Sequence, residues 1–354
     1  MRILRLEAWA VELPLSEPYT IAYETVDRVT NLFVRLVTDG TLAGFGCAAP
    51  APEVTGEQPE DVLAALVDVA GPLVAGSDPL RYGRTLERLR APLVAFPAAL
   101  AAVDMALHDL LGKIAGLPLW QLLGGYRRQI VTSVTIGILP EDETLRHARR
   151  RVAEGFRALK LKGGLDDRDD AEKVLAVRAA VGPEIELRFD ANQGYTAEQA
   201  LRFVDAVRPA NLKLIEQPTP RRDHDELARV TAGSDLPVMA DESLMNLDDA
   251  IRLVGRRRVH LLNVKLMKVG GIAETLRISA VARSAGLEVM VGCMDEAALA
   301  IAAGLAAALA RPNLRYADLD GHLDLADDPT RGAVILEDGR LAATGRPGLG
   351  FDLD

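Results

Sequence analysis

Eight short apolar stretches recur between about residues 130 and 320, at 130–136, 158–162, 185–189, 212–215, 237–240, 261–266, 287–291 and 314–317. Each is four to seven residues long, too short for a typical helix. Most of the intervals hold an amphipathic helical segment, as at 141–154, 170–180, 197–207 and 273–285. Strands alternating with helices build βαβ units and a parallel sheet. Eight strands at a period near 25 residues predict a barrel with helices outside. No sequence repeat accompanies the period, so it is architectural and not that of a solenoid.

The flanking regions read differently. Residues 1 to about 120 are α+β: alternation over 3–13 suggests a strand, and 31–37 and 42–48 flank Asp39-Gly40, a hairpin signal. Helical periodicity follows at 60–74 and 97–115, the second stopped by Gly116-Leu117-Pro118. Beyond 321 a second hairpin is expected around Glu337-Asp338-Gly339-Arg340, placed to pack back on the N-terminal part. With 49% hydrophobic residues among 354, the chain can bury a large core. A balance of 41 basic against 51 acidic residues argues against nucleic acid as a partner. Cys47 and Cys293 are too few for a disulfide framework. The N-terminus lacks the apolar core of a signal peptide. The longest uncharged apolar run, 297–310, is 14 residues, short of the ~18 that cross a bilayer. The expectation is a cytoplasmic protein with no membrane partner.

Strands buried on both faces should be apolar throughout. Here the runs end in charge or polarity: Lys160-Leu161-Lys162, Asp190-Ala191-Asn192, Glu216-Gln217, Asp241-Glu242-Ser243, Asn263-Val264-Lys265 and Asp318-Leu319-Asp320. In a parallel barrel these ends share one face, where active sites lie. Asp190, Glu216 and Asp241 follow one another at 26 and 25 residues, one βα unit each, which puts three carboxylates at similar height on adjacent strands. Three such carboxylates repel without a cation, and hard oxygen ligands suit Mg²⁺. Lys160 and Lys162 stand on the strand before this triad, and Lys265 on the strand after it. A neighbouring ammonium and a dication would both lower a lysine toward use as a base. Lys268, three positions past Lys265, is expected to point elsewhere. A metal between two lysines suits removal of a weakly acidic proton beside a carboxylate and its return to the opposite face, a racemisation or epimerisation through an enediolate.

These strand-end motifs, with Asn263-Val-Lys265-Leu-Met-Lys-Val-Gly-Gly271, resemble the muconate-lactonizing subgroup of the enolase superfamily over essentially the whole chain. That superfamily is known for a Lys or His base working with Mg²⁺. The resemblance implies an α/β fold, a (β/α)7β modified TIM barrel at 126–320. An α+β capping domain would be formed by 1–125 and by a returning segment, 321–354. It implies Asp190, Glu216 and Asp241 as Mg²⁺ ligands, Lys162 and Lys265 as the acid/base pair, and Lys160 against the substrate carboxylate. Asp318-Leu-Asp320 resembles the Asp-x-Asp motif with which dipeptide epimerases hold the substrate's α-ammonium, as two carboxylates facing one pocket call for a cation. Thr135, Cys293 and Asp295 match substrate-contacting positions. Other reactions on the same frame are muconate cycloisomerisation, o-succinylbenzoate synthesis and N-succinylamino acid racemisation, none of which needs Asp318 and Asp320. The family also implies a homo-oligomer, although no interface is legible here.

Epimerases acting on Ala-Glu carry an Arg in the first capping loop, and this sequence has Glu24 there. Glu53 falls in the second loop and Asp295 at the barrel rim. Acidic groups disfavour an acidic side chain and favour a dipeptide carrying Lys or Arg. The five histidines show no paired metal spacing, and Ser243 lacks a nucleophile context.

Overall fold

The computed structural model describes residues 1–20, 25–255 and 257–353. The N-terminal region opens with an antiparallel sheet of β1 (Ile3–Thr20), β2 (Thr25–Thr38) and β3 (Ala43–Ala48), in that order. The Asp39-Gly40 hairpin is present between β2 and β3. β1 does not stop at 13. After an irregularity between Pro14 and Tyr19 it pairs again, Tyr19 with Val26, so a two-stranded ribbon projects from the sheet.

The helix Pro97–Ala115 starts on a proline, whose fixed φ suits the first turn, and ends at Gly116 in the left-handed region. It packs on β3 at Gly44 and Gly46, where any Cβ would overlap the carbonyl oxygens of Ala106 and Ala102. The expected helix over 60–74 forms as Pro59–Ala64 and Gly71–Val74 joined by a π-helical stretch, Ala65–Ala70. The wider turns carry the chain to Pro72, which has no N–H to give.

The expected strand at 130–136 divides at Thr132. Its first half is β4 (Gln129–Val131), which pairs with the C-terminal hairpin; its second half is β5 (Ser133–Ile136), the first barrel strand. The barrel continues with β6 (Ala158–Lys162), β7 (Glu186–Asp190), β8 (Ile215–Glu216), β9 (Val238–Ala240), β10 (Leu261–Lys265), β11 (Glu288–Gly292) and β12 (Leu314–Asp318). All eight are parallel and hydrogen-bonded in chain order. The final hairpin is β13 (Val334–Glu337) with β14 (Arg340–Ala343), the latter beside β4.

Alternation explains how an apolar strand carries charge. Leu159, Leu187, Phe189, Val264 and Val291 face outward into the main core under the helices. The inward positions make a separate small cluster low in the barrel, Leu214, Met239, Leu261, Met290 and Tyr316. Two residues further on, the same inward face presents Glu216, Asp241, Asn263 and Asp318. The helix Ala298–Ala310 is buried along its whole length. Among the described residues, no single helix is long and apolar enough to cross a membrane.

The N-terminal and barrel regions are fastened by side-chain and backbone hydrogen bonds. Asp104 accepts the Ile272 N–H at the start of the helix Ile272–Ser284, and Asp109 accepts from Phe45 and Leu349. On the ribbon side, Asn31 Nδ2 donates to the Asp295 carbonyl, and Ile138 N–H donates to the Thr20 carbonyl.

Candidate active site

β6 and β10 stand four places apart around an eight-stranded barrel, so Lys162 and Lys265 at their ends lie on opposite sides of its mouth. The three strands between them carry Asp190, Glu216 and Asp241. One oxygen from each of these carboxylates lies within 4.8 Å of the others, and all three residues are buried. Glu216 Oε2 is 2.9 Å from Lys160 Nζ but outside hydrogen-bonding geometry, so this buried oxygen has no hydrogen-bond partner. Three buried carboxylates around one point fit a small divalent cation with oxygen preference. Burial and then Asp190 push Glu216 up to about 8. Burial works the same way on Asp190, but Lys160 and Lys162 bring it down to about 2.

Lys160 is fully enclosed, with Nζ 3.0 Å from Asp190 Oδ2 and 2.8 Å from Asp318 Oδ2. Lys162 Nζ lies 2.8 Å from Asp190 Oδ2 and donates to Asn192 Oδ1 at 3.0 Å. Lys265 Nζ lies 2.9 Å from Asp241 Oδ2. Of the two causes expected to lower a lysine here, a neighbouring ammonium and a dication, the ammonium alone does not prevail at Lys160 or Lys265. Burial pulls Lys160 down, yet Asp190, Asp318 and Glu216 hold it well above the ordinary value; Asp241 does the same for Lys265. Several carboxylates at contact outweigh one neighbouring ammonium.

Lys268 was expected to point away and does not. β10 passes directly into a short helix, Leu266–Val269, so an offset of three turns the side chain back onto Asp241. Its ammonium contacts Asp241 Oδ1 and the Asp241 and Asn263 carbonyls. Asn192 and Glu242 were also missed as members of the site. Asn192 Nδ2 donates to Glu242 Oε1 at 3.2 Å, which fixes the amide oxygen toward Lys162. The signal for Asn192 was present in its even spacing from Asp190.

On β12 and just beyond, Asp318 and Asp320 face the same mouth. Asp320 Oδ2 accepts the Thr135 N–H at 2.7 Å. Burial and then Asp318 push Asp320 up to about 6. Cys293 Sγ accepts the Gly321 N–H and lies 3.8 Å from Asp320 Oδ1. Asp295 Oδ2 accepts the Tyr19 hydroxyl at 2.7 Å, and burial pushes its carboxyl up.

Thr135, Lys160, Lys162, Lys265, Cys293, Asp295, Asp318 and Asp320 line one cavity of about 450 Å³, with the triad beneath. The ribbon supplies its outer wall, including Glu12, Glu17 and Tyr19. Glu53 is exposed on the short helix Pro52–Thr55 and is not in the lining; Pro52 and Val54 are. Glu24 lies outside the described residues. His147, set aside on spacing, sits in the outer wall beside Arg150 and Glu17.

A barrel with a buried carboxylate triad between two opposed lysines defines a metal-assisted lyase or isomerase frame. The chain matches the mandelate racemase / muconate lactonizing enzyme N-terminal domain over residues 5–124 and the enolase C-terminal domain-like family over residues 143–354. It belongs to this family of the enolase superfamily. It is 42% identical, over 99% of both chains, to the L-Lys-D/L-Arg epimerase of Methylococcus capsulatus. The structure of the dipeptide epimerase from that organism, complexed with Mg and the dipeptide L-Arg-D-Lys, superposes with a TM-score of 0.95, covering 99% of each chain. The substrate-liganded L-Ala-D/L-Glu epimerase of Bacillus subtilis is 34% identical, with a TM-score of 0.96 over 99% of this chain and 98% of that one.

Proposed function

We propose that this protein is a Mg²⁺-dependent dipeptide epimerase that favours dipeptides carrying Lys or Arg. The observation that carries the dipeptide reading is the Asp318/Asp320 pair, one buried and one partly buried carboxylate opening onto the cavity that also holds both lysines. A dipeptide's α-ammonium satisfies such a pair; a muconate, or an acylated amino acid without a basic side chain, has no group that does.

Asp190, Glu216 and Asp241 would hold the metal. Bound Mg²⁺ supplies positive charge beside the substrate carboxylate, where negative charge gathers as the α-proton leaves. Lys160 adds a fixed ammonium on the same side. With the ammonium end held at β12 and the carboxylate end beside Lys160, the α-carbon of the second residue would lie between Lys162 and Lys265. One lysine, neutral, takes the proton from its face. The other, arriving as ammonium, gives a proton to the opposite face, and the configuration inverts. Asn192 holds Lys162 in line for this transfer.

The cationic preference rests on the outer cavity. Arg28 answers Glu12 at 3.0 Å, and Arg151 answers Asp324 at 3.3 Å. Asp295 meets a neutral phenol and, among the described residues, makes no ion pair. A cationic side chain would complete it. The 42% identical relative named L-Lys-D/L-Arg epimerase supports the same reading.

The test is proton exchange. The Mg²⁺-loaded protein in D₂O is given separate pools of Lys/Arg, Ala-Glu and hydrophobic L,L-dipeptides, with an N-succinylamino acid pool beside them. A one-mass-unit gain, largest for the Lys/Arg pool, is expected. Gain confined to the succinylated pool would replace this reading with a racemase of acylated amino acids.

A further inference from the structure

The eight barrel strands pair in order from β5 to β12, but the ladder is not continued between β5 and β12. Among the described residues a single isolated bridge, Thr132 to Ala317, joins the two sides. Side chains do the rest. Thr132 Oγ1 accepts the Leu319 N–H at 2.9 Å. Ser133 Oγ donates to Asp318 Oδ1 at 2.5 Å. Thr135 gives its N–H to Asp320. Behind them Arg188, an arginine buried in the barrel interior, places Nη1 3.0 Å from Ser133 Oγ and 2.8 Å from the Ala317 carbonyl.

This arrangement leaves Ser133 little freedom. A hydroxyl has one proton and two lone pairs. Arg188 donates into the oxygen and also occupies the Ala317 carbonyl, which lies 3.4 Å from Oγ. The hydroxyl proton is therefore directed to Asp318 Oδ1, while Lys160 holds Oδ2 at 2.8 Å. Both Asp318 oxygens are thus fixed, and the carboxylate cannot turn.

We propose that Ser133, oriented by Arg188, is a positioning residue that sets Asp318 in the geometry that receives the substrate's α-ammonium. The inference rests on the dipeptide reading above. Ser133 does not meet the reacting atoms, so its removal should be felt in recognition of the ammonium and not in the proton-transfer step. A charge-assisted hydrogen bond that orders a buried carboxylate corresponds to a change of roughly tenfold or more in affinity.

The experiment compares wild type and Ser133→Ala as Mg²⁺-loaded enzymes. Three quantities are measured: kcat and KM for an L-Arg-L-Lys dipeptide, and the inhibition constant of the same compound without its α-amino group. In Ser133→Ala the dipeptide KM should rise roughly tenfold, with kcat and the inhibition constant within about twofold of wild type. A merely structural loss would raise the KM and the inhibition constant together, and that result, or an unchanged KM, overturns the proposal while leaving the dipeptide reading standing. If the wild-type enzyme takes the des-amino compound as readily as the dipeptide, Asp318 and Asp320 do not read an ammonium, and the dipeptide reading falls together with the proposal.

Discussion

Lys268 and Asp241 form a buried ion pair in which the ammonium touches Asp241 Oδ1 and also accepts no competition from solvent, with the Asp241 carbonyl 2.5 Å away. Lys265 holds the other carboxylate oxygen, so one aspartate is clamped from two elements. Removing a single partner from a buried pair leaves its charge uncompensated, at about 3–5 kcal/mol. Lys268→Met, close in length and without charge, leaves Asp241 with Lys265 as its remaining contact, so it should lower the urea midpoint by less than this, an amount corresponding to about 1–3 kcal/mol at unchanged slope. A midpoint equal to wild type would contradict the role given to this pair.

The triad makes a prediction about metal and stability. Glu216 is pushed up to about 8 because burial and Asp190 disfavour a further negative charge. A cation bound by the folded state alone stabilises it, by about 2.7 kcal/mol when its concentration is 100 times Kd. Thermal unfolding should move upward with added Mg²⁺ in wild type and not in Glu216→Gln. Chelation should abolish α-proton exchange, and Mg²⁺ should restore it.

The two lysines should separate by face. In Lys162→Ala and Lys265→Ala, net epimerisation should fall by roughly 10²–10⁴. Each variant should still exchange the α-proton of one epimer in D₂O, and the two variants should favour opposite epimers. Loss of exchange with both epimers in both variants would show that the lysines do not act on separate faces.

Glu57 provides a pH test away from the triad. Its buried carboxylate accepts the Ala98 N–H through Oε1, and Oε2 has no hydrogen-bond partner. Burial pushes it from 4.5 up to about 7. Between these values the folded chain keeps a proton that the unfolded chain has released, so this contribution to stability falls as pH rises from 4.5 and levels off above about 7. Glu57→Gln keeps the Oε1 acceptor and loses the titration. Its stability should match wild type near pH 4.5 and exceed it above pH 7, by on the order of 3 kcal/mol at most. Urea denaturation across that range reads the difference.

The barrel and its triad were legible because both depend on period. Asp190, Glu216 and Asp241 occur once per βα unit, and no tertiary detail is needed to bring them together. What escaped depends on a change of period or on a distant partner. Lys268 is hidden where a strand becomes a helix within one residue. The run 130–136 looks continuous, but its halves join different sheets because Gly339 takes the Thr132 N–H. Arg188 reads as a charge inside a strand; Glu186, Ser133, Ala317 and the Tyr316 ring, none of them legible from its own position, make its burial tolerable. Glu53 misled because a loop's acidity says nothing of which way it faces.

The stitched seam also bears on how the chain reaches its working state. Ser133 and Asp318 are 185 positions apart, among the longest sequence separations that any contact in the barrel spans. Pairings of high contact order form late, since the entropy of closing so long a loop must be met before the contact returns anything. The atoms that close the ring are those that shape the proposed ammonium receptor. A chain whose first and last strands have not met therefore has no receptor to offer, and affinity for substrate becomes a signature of completed folding.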